Sequence, residues 1–96
     1  MEQICKVEIC GIAGMVNEQT VNGFRVVRMS VAVTEDFGGC QTTRWWQLVW
    51  WPDKSDTRTF SRGDSIHAEG RITYNEYTKE DGSTGRAYEI KVRKIW

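Results

Sequence analysis

From Cys5 to Ile95, apolar residues return at every second position in runs separated by glycine-containing turns. A period of two means strands with one buried face. The clearest run is Val27, Met29, Val31 and Val33, alternating with Arg28, Ser30, Ala32 and Thr34. Before it, Cys5, Val7 and Ile9 alternate with Lys6, Glu8 and Cys10 in a first strand that continues toward Gly11 and Gly14. Asn22-Gly23 marks the first join and Gly38-Gly39 the second, both of them turn signals. A third strand runs from Thr42 to Trp51 and stops at Pro52, the only proline, which has no N–H for a ladder.

After Pro52 the pattern lapses. Residues Asp53–Arg62 are polar apart from Phe60 and suit a long connection or one short helix. Arg62-Gly63-Asp64 then turns into a fourth strand with Ile66, Ala68, Gly70, Ile72 and Tyr74 on one parity. Asp81-Gly82 tips a hairpin, and Ala87–Ile95 returns as a fifth strand with Tyr88, Ile90 and Val92 facing in. The expected fold is all-β, a five-stranded Greek-key barrel of the OB type over residues 1–96 as one domain. An SH3-like barrel or an open sandwich also accommodates five strands. A chain of 96 residues buries only about 60–65 % of its unfolded surface, so association with further copies would help it.

The third strand carries the compositional anomaly. Four of the five tryptophans lie between Trp45 and Trp51, more rings than a small core can take. Alternation puts Trp45, Gln47, Val49 and Trp51 on one face and Trp46, Leu48 and Trp50 on the other. The first set contains Gln47 and follows Thr43, so it is the candidate wet face. The second is wholly apolar and reads as core or subunit interface. Exposed rings on a sheet can stack on any base, because every base has a π-face.

Charge narrows the partner. Lys+Arg and Asp+Glu both number 13, which argues against a polybasic surface. Residues 1–40 carry three basic and five acidic groups, leaving ten and eight for the remainder. Phosphate contacts would have to come from a local groove. Three cysteines, an odd number, without a signal peptide suggest a reduced, cytoplasmic protein, and no apolar run is long enough to span a membrane. Cys5, Cys10, Cys40 and His67 form no metal-ligand spacing, and no nucleophile–base set points to an enzyme. No cofactor is expected.

In order, KVEICGIAG, NGFRVVRMSVAVTEDF, TTRWWQLVWW and SRGDSIHAEGRITYNEYTKEDGSTGRAYEI resemble the DNA-binding domain of bacterial single-stranded DNA-binding proteins, the SSB family. The resemblance covers Lys6 to about Ile95. It implies an OB fold, assembly into a dimer or tetramer, and bases stacked on aromatics that match at Phe37, Trp45, Trp51 and Tyr77. Arg44, Lys54, Arg71, Lys79 and Arg86 lie in or near the implied groove and are the candidate phosphate partners, with Gln47 between the rings.

Two departures stand out. Asn75 and Glu76 precede Tyr77 where the family is usually basic, which implies weaker or more salt-sensitive binding. The sequence stops at Trp96 in the final strand, so the acidic-tipped tail through which such proteins recruit replication and recombination partners is expected to be either naturally absent or trimmed away. The expected function is sequence-tolerant binding of single-stranded DNA in replication, recombination or transfer, near the nucleoid. The alternative is a primosome-like adaptor that uses the same aromatics on a protein.

Overall fold

A computed structural model of the chain describes residues 5–96. It has five strands: β1 (Val7–Val21), β2 (Phe24–Phe37), β3 (Cys40–Trp50), β4 (Ser65–Thr78) and β5 (Thr84–Ile95). They close into a barrel with neighbour order β1-β2-β3-β5-β4. β1 completes the circle by pairing with β4 through Val7–Ile12 and with β2 from Ile12 onward. All ladders are antiparallel except β3–β5. This is the five-stranded barrel that the alternation predicts.

The odd-numbered apolar residues of β2 do face the core, where Val27, Met29 and Val31 pack with Leu48, Ile66 and Ile90. β1 departs from expectation. It passes straight through Gly11 and Gly14 and ends only at Val21. Its register with β2 shifts between Ala13 and Met15, so Gly14 is a bulge that exchanges the two faces. Ile9 and Ala13 reach the core before the bulge and Val16 after it. That switch hides the second half of β1 from a strict period of two. β5 uses the same device. Lys94 pairs with Glu69 and Val92 with Gly70, which skips Arg93 and lets Val92 and Ile95 both point inward.

The connection from β3 to β4 is an extended loop with turns at Lys54-Ser55 and Arg62-Gly63; of the two expected forms, the helix is not the one adopted. Side chains order it. Arg25 donates to the backbone carbonyls of Asp56 (2.8 Å) and Arg58 (2.7 Å), and Arg58 donates to the carbonyl of Ile95 (2.7 Å). The Arg58 side chain and then its backbone N–H hold the Asp56 carboxyl down, from 3.8 to about 2. Phe60 meets Trp50 edge-on at 5.5 Å, and the guanidinium groups of Arg25 and Arg58 lie 5.8 and 5.6 Å from the Trp50 ring centre. This end of the barrel is closed, and Trp50 is only 5 % exposed.

Candidate nucleic-acid interface

β3 and β5 pair over three residues only, Leu48–Trp50 against Ile90–Val92. Because the pairing is parallel, the N-terminal halves of both strands run on past this seam on the same side. Each is carried away by its own hairpin. β2–β3 stays paired out to Phe37 and Cys40, and β4–β5 out to Thr78 and Thr84. Between the two arms opens a cleft of about 430 Å³, lined by Arg44, Trp45, Trp46 and Gln47 on one bank and Ile72 and Tyr88 on the other. That size lies within the range of roughly 300–1,000 Å³ usual for ligand sites.

The expected split of the tryptophans largely holds. Trp45 and Trp51 are 58 % and 53 % exposed, whereas Leu48 and Trp50 are buried and Trp46 is half-buried against the core. Val49 is the exception, buried although it shares the outer parity. Phe37, beside the Gly38-Gly39 turn, is the most exposed aromatic at 72 %, and Tyr77 is half exposed.

Two of these rings are seated on glycine. A Cβ on Gly14 would collide with the Trp45 ring, so the bulge that reverses β1 also makes room for that ring. The Ser30 hydroxyl beside it accepts a hydrogen bond from the Met15 N–H (2.9 Å). Tyr77 pairs with Gly85, and a Cβ there would fall 2.6 Å from the tyrosine Cζ and 2.8 Å from Cε of Lys79. A glycine beneath a ring gives it a flat backbone bed and leaves its other face available.

The structure brings Arg44, Trp45 and Gln47 to one bank of the cleft, and gathers Tyr77, Lys79 and Arg86 on the facing hairpin. The Lys79 N–H donates to the Ser83 carbonyl at the hairpin turn (2.8 Å). Arg86 lies 4.8 Å from the Tyr74 ring centre with its Nε 3.8 Å from Glu76, so the unexpected carboxylate has a cation beside it. Arg71 is exposed and paired with Lys91. Trp51 and Lys54 stand beyond the seam. Trp51 is six residues from Trp45, about 20 Å along a strand. Lys54 shares a smaller cavity of about 230 Å³ with Phe24 and Pro52, its ammonium 5.5 Å from the Phe24 ring centre.

Ile72, Tyr88 and Trp46 line the cleft, and Tyr74 packs beside Tyr88, although the alternation puts Ile72, Tyr74 and Tyr88 inside and Trp46 in the core or a subunit interface. Tyr88 has the expected inward parity, yet it is 52 % exposed. The correction has a physical cause: beyond the three-residue seam, inward no longer means covered. Among the described residues no three His, Cys, Asp or Glu side chains converge on a possible metal position, and no helix is long and apolar enough to cross a membrane. Cys5, Cys10 and Cys40 are free and exposed.

A closed five-stranded barrel with an aromatic cleft between two projecting hairpins is an OB-fold binding protein. The chain belongs to the single-strand binding protein family, whose profile matches residues 4–96. Among solved structures it resembles the Plasmodium falciparum SSB in complex with ssDNA, with 16% identity, a TM-score of 0.76, and 100% of this chain and 94% of that chain covered. It also resembles Rim1, the mitochondrial single-stranded DNA binding protein of S. cerevisiae, with 20% identity, a TM-score of 0.76, and coverage of 99% and 95%. At these identities the likeness establishes the fold. No curated protein sequence matches the chain.

Proposed function

We propose that the chain binds single-stranded DNA with little sequence preference by stacking bases on Phe37, Trp45, Trp51 and Tyr77. The observation that supports this reading is that Trp45 and Tyr77 lie close against Gly14 and Gly85, where a Cβ would collide with them, and still remain 58 % and 50 % exposed. Arg44, Lys79 and Arg86 on the cleft arms, with Arg71 and Lys54 farther out, meet phosphates, and Gln47 offers an amide to a base edge. With a formal net charge of zero, binding depends on these local contacts.

The protein acts as a homo-oligomer, dimer or tetramer, in replication, recombination or transfer of DNA in the cytoplasm. The outer surface of β1 and β4 supports the association. There Ile12 and Trp96 are both nearly half exposed, and the Trp96 ring stacks on His67 at 3.8 Å with 16° between planes.

The test is a titration with dT oligomers read by tryptophan fluorescence, with mass from light scattering. Quenching is expected, because Trp45 and Trp51 would lie under bases. Absence of quenching at low salt would overturn the stacking reading and favour the adaptor alternative.

A further inference from the structure

We infer that the cleft between the two hairpins holds one base of the bound strand, between Trp46 and a tyrosine pair, Tyr74 and Tyr88. The inference rests on the single-stranded DNA reading above and adds an inner subsite to its outer rings.

Tyr74 and Tyr88 are direct partners across the β4–β5 ladder, one step beyond the pair Ile72 and Ile90 on the tapering inner face. Their ring centres are 5.7 Å apart with planes tilted by 50°. Ile90 is fully buried in the barrel, whereas both tyrosines are half exposed. Two adjacent aromatic side chains thus point inward at a place where none of the described residues covers them. Apolar ring surface left to water in this way is surface that a bound group can bury. Across the cleft stands Trp46, half-buried and packed on the core.

The chemistry of the walls selects the occupant. Rings on both banks favour a flat aromatic guest, and the Arg86 guanidinium already lies over Tyr74. Arg44 and Gln47 at the rim supply donors and one acceptor, as the edge of a nucleobase requires. An aliphatic chain would use neither. Continuity with the outer site comes from β3 itself. Trp45 and Trp46 are neighbours projecting to opposite faces, on a stretch whose edge toward β5 is unpaired. A DNA strand that crosses this free edge places consecutive bases outside on Trp45 and inside on Trp46, with the linking phosphate near Arg44.

The experiment compares the full chain with the double variant Tyr74→Leu, Tyr88→Leu, using dT oligomers and an all-abasic oligomer of equal length. Both substitutions are at exposed positions, and a thermal melt verifies that the variant is folded. The variant is expected to bind dT at least about fivefold more weakly than wild type, while the two proteins bind the abasic oligomer alike. Equal dT affinities would overturn the subsite and leave the outer-ring reading intact. An equal loss on the abasic oligomer would also overturn it, since the tyrosines would then shape the arm and not hold a base. Failure of wild type itself to bind dT would overturn both readings together. As a second measurement, oligomers carrying 5-iodouracil should photo-crosslink to Trp46 or Tyr88 in wild type; crosslinks confined to Trp45 and Trp51 would refute the inner site. If the melt shows the double variant unfolded, this crosslink pattern decides.

Discussion

Trp46 and Trp50 are four residues apart on the same face of β3, and their surroundings diverge. Around Trp50 the β3–β4 connection folds over the barrel mouth, bringing Phe60 and Arg58, while Arg25 comes from β2. Around Trp46 no segment returns among the described residues; the two hairpins leave the seam and stay apart. Both ends hold aromatic rings and arginines. One end is covered by chain and contributes stability, and the other is left open and offers surface to a ligand. Cover, not residue type, separates the enclosed tryptophan from the accessible one.

The largest effect is expected at the closed end. Trp50→Ala removes a ring touched by Phe60, Arg25 and Arg58 and should cost about 3–5 kcal/mol in urea unfolding. A cost near zero would show that the connection does not close the barrel in solution.

Next comes Trp45→Ala at the open end. It should weaken dT binding by roughly 1–3 kcal/mol while changing stability by no more than about 1 kcal/mol. The reverse pattern would make the contrast between the two ends untenable.

A smaller effect is expected at a ring's seat. Gly85→Ala places a Cβ against Tyr77 and forces it off its rotamer, worth about 0.5–1.5 kcal/mol in dT affinity by titration. Unchanged affinity would remove Tyr77 from the binding surface.

The smallest is a pH effect on the closing loop. The Asp56 carboxyl sits at about 2 when folded against 3.8 for the free group, so between those values the unfolded chain binds the extra proton. Its stabilisation is present above about pH 4 and is lost as pH falls toward 2. The gap in urea midpoint between wild type and Asp56→Asn should therefore shrink over that window. A constant gap would mean that the Asp56 charge does not contribute to the clamp.

Much of the fold was legible. Val27, Met29, Val31 and Val33 fall on the inner face as alternation requires, and Asn22-Gly23 and Gly38-Gly39 turn where expected. The bulges at Gly14 and Arg93 were not legible, because single-residue insertions reverse parity without any local signal stronger than one glycine; the inward set Tyr88, Ile90 and Val92 precedes the second of them. For the proposed site, alternation marked Trp45 and Trp51 as outward rings, and the family resemblance supplied the full set Phe37, Trp45, Trp51 and Tyr77; all four are exposed. Tyr74 and Tyr88 were not legible, because their inward parity is indistinguishable from that of a core residue.

Alternation along the chain by itself determined which side chains share a face, since Cβ direction is a property of each strand alone. It was enough to divide Trp45 and Trp51 from Trp46 and Trp50. Whether an inward face is then covered depends on how far neighbouring strands remain paired and where a connection returns. Those are facts about segments distant in sequence, such as β3 against β5 and Phe60 against Trp50. Only the tertiary structure decided them, and with them which end of the barrel is shut and which stays open.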